Sequence, residues 1–415
     1  MISSNTDYNP EIMKELTDHI IPFWTGLSDD TYGGWYGYLS YDLVLDKEAE
    51  KGCILNSRIT WFFANAYMLL GYESLLNQAK RGYSFMMKHM IDRDYGGVYW
   101  SVDRKGIPVD TTKHVYNQAF AIYALSSYYD ATGDMSALGE ALTLFHLIED
   151  KCRDADGYLE SFSRTFEVTG NDKLSENGVN AKRTMNTLLH VIEGYTELYR
   201  VSGYTEVGDR LADALMILAE RIYDAKRNRM DVFFDMEYRS LIDLYSYGHD
   251  IETSWLADRA LDVLECNGPK VMSAAGTDKC NSKRYEKTVA ELRPILVNLR
   301  RNVFKVAFDG NSLPLECEAG KVDTRRVWWV QAETVVGMVN GYRRDGCREY
   351  LEAAKSEWNY IKNYIIDKRP GSEWYWVINE DATPVEGEPI VEPWKCPYHN
   401  GRMCIEVLKG DTRVG

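Results

Sequence analysis

The 415-residue sequence predicts an all-α protein, an (α/α)6 barrel of six helical hairpins with short β-hairpin links. The first observation behind this fold class is that apolar residues recur at three-and-four spacing through six segments. The second is that a more charged amphipathic segment alternates with most of them. The third is a series of turns rich in glycine and aromatic residues after several charged segments, because such turns suit short hairpin strands.

The apolar segments are predicted to form the inner helices of the barrel, and the charged segments its outer helices. The predicted inner helices cover residues 58–70, 116–129, 185–199, 249–264, 328–342 and 396–408. The predicted outer helices cover residues 10–27, 73–90, 137–151, 205–223, 283–303 and 350–366. Because an outer helix returns the chain after each inner one, all inner helices should run parallel.

The links between hairpins carry the turn signals. Four of them read YGGWYGY from Tyr32, YGGVYW from Tyr95, DGYLES from Asp156 and EWYW from Glu373. Residues 265–284 fit no helix and are expected to form an irregular surface insertion. Since no Pro- or Ser-rich linker interrupts the series, the sequence predicts a single domain over residues 1–415, with short tails at 1–9 and 409–415.

Composition narrows the function. A net charge of −15 disfavours nucleic acid and anionic membranes as partners, because both would be repelled. The 11 Trp and 29 Tyr exceed what a core needs and suit stacking on sugar rings. Neither GxGxxG nor a P-loop occurs. A neutral or cationic small molecule is therefore the expected substrate, with no nucleotide cofactor.

The expected location is the cytoplasm. Eight Cys are scattered with no CxxC pair, which favours a reducing compartment. The start MISSNTDYNP lacks the basic and apolar stretches of a signal peptide. No apolar run approaches the roughly 18 residues that span a bilayer. A monomer or weak homodimer without a membrane partner is expected.

Chemically capable side chains occur at or near the starts of the predicted inner helices. They are Arg58, Tyr116, Asn186, His190, His249, Glu252, Trp328, Trp329, Glu333, Trp394, His399 and Arg402. If the inner helices are parallel, these starts meet at one end of the barrel, where helix N-termini add partial positive charge. The sequence therefore predicts one active site at that end.

Helical spacing links several of these residues in pairs. Asn186 and His190 are four apart, whereas His249 with Glu252 and His399 with Arg402 are three apart, so each pair shares a helical face. One such pair would more often be a structural polar cluster, but three that converge favour function. The other four histidines are expected to be structural or at the surface: His19, His89, His114 and His146.

Alternatives remain open at this point. Three histidines and a glutamate could ligate zinc or iron, but no HExxH motif is present, so neither metal nor cofactor is predicted. Glu252 and Glu333 could be the carboxyl pair of a glycoside hydrolase, and the Trp residues could serve a non-catalytic sugar-binding module. Glu333 could also orient a cation such as Arg58. Trp328 and Trp329 point about 100° apart, so one should reach the cavity and the other its wall.

Five ordered motifs resemble those of a known family: GCILNSRITWFFANAY from Gly52, TMNTLLHVIEGYTELY from Thr184, SYGHDIETSWL from Ser246, RVWWVQAE from Arg326 and PWKCPYHNGRMCIEV from Pro393. Through them, residues 14–407 resemble the cellobiose 2-epimerases of the N-acylglucosamine 2-epimerase superfamily. The resemblance implies reversible inversion at C2 of the reducing-end glucose of a β-1,4-linked disaccharide such as cellobiose or lactose. Related activities are N-acylglucosamine or mannose 2-epimerisation and aldose-ketose isomerisation.

The resemblance also implies residue roles. His249 and His399 match the acid/base pair, and the matched binding residues are Arg58, Tyr116, Asn186, His190, Glu252, Trp328, Trp329 and Trp394. The chain departs from the family at Lys182 and Arg183, which bears on substrate preference. For this chemistry Arg58 and His190 are expected to stabilise an enediolate, and Glu252 to orient His249.

Overall fold

Twelve helical segments alternate in two layers in the computed structural model, which describes residues 9–171, 173, 177–267 and 278–410. The inner helices are Cys53–Leu70, Val115–Thr132, Met185–Ser202, Tyr247–Asn267, Trp328–Asp345 and His399–Leu408. Each packs against the inner helices before and after it, and the sixth packs back on the first. The closed ring with its outer layer confirms the (α/α)6 barrel.

The outer helices pack on the ring, and most end in a π-helical turn. The first runs through Asn9–Lys14, Glu15–Ile20 and Ile21–Gly26. The next three are Glu73–Phe85, Met135–Leu147 and Thr205–Ile217, continued by π turns at Met86–Met90, Ile148–Cys152 and Leu218–Ile222. The last two are Asp278–Val306 and Arg348–Tyr360, the latter continued by Ile361–Ile365.

The inner helices are buried on all sides, because one face lines the barrel and the other packs on the outer layer. In the first inner helix every residue from Cys53 to Ala66 is buried. A left-handed glycine closes four of these helices, at Gly71, Gly133, Gly203 and Gly346. Glycine adopts that conformation without the Cβ clash of other residues, so these positions fix where the helices end.

A ring of small antiparallel sheets surrounds the N-terminal ends of the inner helices. Short strands enter the first five of them: Lys51–Gly52, Lys113–His114, Arg183–Thr184, Leu244–Ser246 and Arg326–Val327. Their partners come from the following links: Ser101–Val102, Ser161–Phe162, Phe233–Phe234, Glu316–Glu318 and Val377–Ile378. A bridge between Leu39 and Val391 completes the ring ahead of the sixth helix.

The remaining strands extend these links outward. They are Tyr38–Leu39 with Leu45–Asp46, Tyr223–Asp224 with Arg229–Met230, and the third strands Pro108–Asp110 and Lys321–Asp323. The predicted hairpin links are thus confirmed. Together the sheets hold the inner helix starts in register around one opening of the barrel.

Each of four links contains an equivalent ion pair, which was not predicted from the sequence. An aspartate after the outer helix pairs with a cation two residues before the inner helix: Asp29 with Lys51, Asp92 with Lys113, Asp154 with Arg183, and Asp309 with Arg326. Arg183 is only 1% exposed, so its side chain supports a link. At Arg183 the departure from the family pattern therefore concerns the scaffold.

Helix covers half of the predicted insertion at residues 265–284. The fourth inner helix continues to Asn267 and the next outer helix begins at Asp278, so the irregular structure expected there was wrong at both ends. Residues 268–277 lie outside the described part of the chain, as do 1–8 and 411–415 of the predicted tails. Within the described ranges, no helix is long and apolar enough to cross a membrane.

Candidate active site

A buried arginine lies at the centre of the barrel opening. The Arg402 side chain is 0% exposed and lies among three carboxylates. Its Nη1 donates to Glu193 Oε1 at 2.5 Å, and its Nη2 donates to Oε1 of Glu252 at 2.5 Å and of Glu333 at 2.7 Å. We call these four residues the Arg402 cluster. Its members come from the third, fourth, fifth and sixth inner helices and join them at the opening.

Charge in the Arg402 cluster is unbalanced, since one permanent cation faces three carboxyl groups. Burial acts to raise the pKa of Glu193, but Arg402 and His190 outweigh it and hold that pKa at about 2. Burial raises the pKa of Glu252, and the neighbouring Glu333 charge raises it further. An additional proton therefore belongs to this cluster, and it favours Glu252 over Glu193.

His399 is the first residue of the sixth inner helix, and a carboxylate holds its ring. Its Nδ1 donates to Glu333 Oε1 at 2.7 Å, while Trp255 Nε1 donates to the other oxygen at 2.8 Å. With Nδ1 engaged, Nε2 is the nitrogen left for proton transfer. Burial and the nearby Arg402 charge lower the His399 pKa. Glu333 thus orients Arg402 and His399, and does not pair with Arg58.

His249 has an uncharged partner. Its Nδ1 lies 2.7 Å from Ser246 Oγ, and its ring packs against Trp329 with centroids 4.9 Å apart. The expectation that Glu252 orients His249 was wrong, because the Glu252 carboxylate accepts from Arg402 across the barrel. Burial lowers the His249 pKa below its ordinary value.

The close approach of Trp329 to this helix requires a glycine. A Cβ placed on Gly248 would lie 2.6 Å from the Trp329 ring, closer than packed carbons approach. Trp329 also lies beside His399, with centroids 5.5 Å apart, so one indole contacts both histidines. It is half-buried and faces the opening, whereas Trp328 is 2% exposed and forms the wall. One tryptophan thus lies at the cavity and one in its wall, as the sequence predicted.

Arg58 and His190 lie on the opposite side of the opening. Arg58 Nη2 donates to Tyr116 Oη at 2.6 Å, and Nη1 donates to the Trp394 carbonyl at 3.0 Å. No carboxylate among the described residues forms an ion pair with Arg58, so its charge is available to an anionic ligand. His190 Nδ1 donates to Glu193 Oε2 at 2.9 Å, and its ring contacts Tyr116.

Two half-buried residues complete the opening. Trp394 packs against Tyr116 and Trp100, each with centroids 5.5 Å apart. Asn186 carries a buried side-chain oxygen with no hydrogen-bond partner in the described part of the chain. Such an oxygen is costly to leave unpaired and suits a ligand hydroxyl. The structure therefore brings all the predicted site residues to one end of the barrel.

Sequence reasoning missed four supporting residues: Glu193, Ser246, Trp255 and Tyr398. Glu193 follows His190 by three positions, the spacing used for the other pairs, so that signal was present. Nothing in the sequence indicated Ser246 or Trp255. Arg402, named among the capable residues near the helix starts, is buried and bonds three carboxylates, so it supports other groups.

The residues suited to a metal do not fit one here. Ligand atoms of Glu252, Glu333 and His399 all lie within 4.8 Å of one another. However, the same Arg402 nitrogen already bonds the Oε1 atoms of both glutamates. A divalent cation between them would meet a guanidinium charge at contact distance, and this repulsion disfavours binding. The two glutamates therefore already have a cation, the Arg402 guanidinium, in the place that a metal ion would need.

An (α/α)6 barrel whose opening combines histidines, an unpaired arginine and tryptophan faces defines a carbohydrate-active enzyme. The N-acylglucosamine 2-epimerase (GlcNAc 2-epimerase) family matches residues 33–400, and the chain belongs to this family. It is 47% identical to the cellobiose 2-epimerase of Eubacterium cellulosolvens over 98% of this chain and 100% of that protein. Identity to the Ruminococcus albus cellobiose 2-epimerase is 50%, covering 96% and 97%.

Solved structures of sugar epimerases have the same fold as this chain. A sugar epimerase from a ruminal bacterium superposes with a TM-score of 0.89 at 49% identity, covering 97% of this chain and 98% of that one. The cellobiose 2-epimerase of Bacillus thermoamylovorans gives 0.88 at 42% identity, covering 97% and 99%. The protein is a carbohydrate epimerase and thus an isomerase.

Proposed function

We propose that this protein reversibly inverts C2 of the reducing-end glucose of β-1,4-linked disaccharides, converting cellobiose to glucosyl-mannose and lactose to epilactose. The observation that carries the proposal is that His249 and His399 both contact Trp329, each with Nδ1 engaged by a protein partner. The relatives at 47% and 50% identity, both cellobiose 2-epimerases, support this substrate class.

Inversion at C2 needs two acid/base groups. After the sugar ring opens, the C1 carbonyl acidifies the C2 proton, which one group removes from one face while the other returns a proton to the opposite face. Imidazole suits both tasks, since its ordinary pKa is near 6.5. With Nδ1 of each ring engaged, the Nε2 atoms of His249 and His399 transfer the protons. The two rings exchange roles when the reaction runs in reverse.

Loss of the C2 proton leaves an enediolate, whose negative oxygen needs donors already in place. Arg58 meets this need because no described carboxylate neutralises it. His190 can donate from Nε2 when protonated; burial lowers its pKa, and the ionised Glu193 on its Nδ1 opposes that shift. Removing one such donor typically costs about 3 kcal/mol of transition-state stabilisation.

The sugar itself is held by flat and polar surfaces. Trp329 offers its half-buried face between the two histidines, and Trp394 extends this surface toward the rim. The unpaired oxygen of Asn186 accepts from a sugar hydroxyl. Aromatic stacking with a few polar contacts is the usual way in which proteins hold sugar rings.

A glycoside hydrolase on this barrel is disfavoured by the carboxyl groups it would need. Glu252 and Glu333 are 1% and 0% exposed, and both bond the same nitrogen of Arg402. A catalytic acid and nucleophile must reach the glycosidic bond from the cavity. These two groups instead form the support of the site.

An NMR time course with cellobiose tests the proposal against its alternatives. We expect signals of a mannose reducing end to grow until they reach a constant ratio with the glucose form. Cellobiitol, which lacks the C1 carbonyl, should stay unchanged and serves as the control. Free glucose would indicate a hydrolase, a ketose product an aldose-ketose isomerase, and unchanged cellobiose a binding module; each of these outcomes alone would overturn the proposal.

A further inference from the structure

Ser246 is held rigidly beside one of the two proton-transferring histidines. It is the last residue of the strand Leu244–Ser246 and pairs with Glu316 on the neighbouring strand. Its side chain is buried, and its hydroxyl lies 2.7 Å from Nδ1 of His249. His249 is the third residue of the helix that begins one position later. Strand pairing therefore fixes the hydroxyl relative to the imidazole.

The partner of His249 differs in kind from those of the other histidines in the opening. Nδ1 of His399 and of His190 each face a glutamate carboxylate, at 2.7 Å and 2.9 Å. An ionised carboxylate only accepts, and its charge favours imidazolium. A hydroxyl can accept a hydrogen bond from the Nδ1–H but adds no full charge. His249 is thus oriented without a counter-charge that would hold a proton on it.

We propose that Ser246 is a positioning residue that keeps His249 as neutral imidazole with its proton on Nδ1, so that the Nε2 lone pair is ready to take the C2 proton. This inference rests on the proposed epimerase function for the proton-transfer step only. The balance is simple: Nε2 gains the C2 proton, His249 becomes imidazolium, and the electron pair of the C2–H bond enters the enediolate. His399, supported by Glu333, supplies the proton to the other face.

The surroundings of His249 also favour its neutral form. His190 approaches from the third inner helix and Glu333 from the fifth, while Trp329 separates His249 from His399. Burial and the His190 charge lower the His249 pKa, and Glu333 opposes them more weakly. On the paired strand, the Glu316 carboxylate accepts from Asn177 Nδ2 at 3.3 Å. No ion pair of His249 occurs among the described residues, so neutral imidazole is its stable form.

The direct test is the ¹⁵N NMR spectrum of the full chain labelled at histidine. For His249 we expect a protonated Nδ1 and an unprotonated Nε2 near pH 7. In Ser246→Ala the proton should move to Nε2, because Nδ1 then lacks an acceptor. An unchanged His249 pattern in Ser246→Ala would overturn the proposal. This readout needs no turnover, so it stands apart from any failure of the epimerase assignment.

Kinetics provide the second readout. Ser246→Ala should lower kcat at least about tenfold with little change in KM, since a base in the wrong tautomer cannot act, and Ser246→Thr should restore most of the rate. Ser246→Asp should move the acidic limb of kcat/KM to higher pH: a carboxylate raises the imidazole pKa, so the neutral base appears only at higher pH. Unchanged kcat in Ser246→Ala, or an unmoved limb in Ser246→Asp, would contradict the proposed role.

A matched control is Ser127→Ala. Ser127 is also buried on an inner helix, and its hydroxyl has no hydrogen-bond partner within the described ranges. This variant removes the same atom away from the opening and should keep wild-type kcat, pH profile and ¹⁵N pattern. A tenfold loss in the control as well would show that any buried serine substitution perturbs the barrel, and would remove the kinetic support for Ser246.

Discussion

Replacing His249 or His399 by alanine is expected to lower kcat on cellobiose at least about 10³-fold while the barrel stays folded. Each substitution removes one of the two groups that exchange the C2 proton, and a positioned acid or base contributes about 10²–10⁴-fold. His399→Ala also releases Glu333 from its 2.7 Å bond, so we expect the larger loss there. Initial rates of epimer formation, with circular dichroism as a check on folding, measure the effect.

His146→Ala is the control for this pair. His146 lies on an outer helix, is exposed, and faces Glu206 at 3.5 Å, far from the opening. Its loss should leave the rate within twofold of wild type. Turnover within tenfold of wild type in either His249→Ala or His399→Ala would remove that residue from the acid/base pair.

Arg402→Met is expected to cost about 3–5 kcal/mol of folding stability and to abolish epimerisation. The substitution leaves three buried carboxyl groups without their shared cation, and breaking a buried ion pair by removing one partner costs this much. Glu333 would also lose the neighbour that fixes it beneath His399. Urea unfolding measures the stability, and rate assays on the folded fraction measure activity.

Arg259→Met provides the matched comparison. Arg259 also lies between two carboxylates, Glu197 at 3.1 Å and Glu406 at 3.2 Å, but it is partly exposed and makes no contact with the Arg402 cluster among the described residues. We expect a smaller loss of stability, because Glu197 keeps its 2.6 Å ion pair with Arg200, and unchanged kcat. If Arg402→Met were as stable as wild type, the Arg402 cluster could not be the support that joins the inner helices.

Much of the fold was predictable because the barrel repeats one unit. Alternation of apolar and charged helical segments indicated the two layers, and the turn motifs indicated the links. The first inner helix, however, begins at Cys53, five residues before its prediction. Its opening turn is wholly buried, so no polar face marks its period. The fourth inner helix and its outer partner also extend into the predicted insertion.

For the site, the sequence indicated the residues but not their partners. Parallel inner helices bring their starts together, which is why the predicted residues converge. Spacing along one helix suggested the pairs His249 with Glu252 and His399 with Arg402. In the structure Glu252 pairs with Arg402, 150 residues away, because a buried carboxyl needs a cation and Arg259 on its own helix pairs with other glutamates. Ion pairs between residues on different helices cannot be predicted from residue spacing along one helix. The single-domain organisation and the oligomeric state stay predictions.

Deuterium exchange at C2 tests the central claim most directly. Incubating the protein with cellobiose in D₂O should place deuterium at C2 of both the glucose-end and the mannose-end disaccharide, because the proton taken by one histidine is replaced from solvent by the other. Mass spectrometry and NMR of the reducing-end sugar locate the label. A mannose-end product that keeps its original C2 hydrogen would contradict proton transfer by His249 and His399.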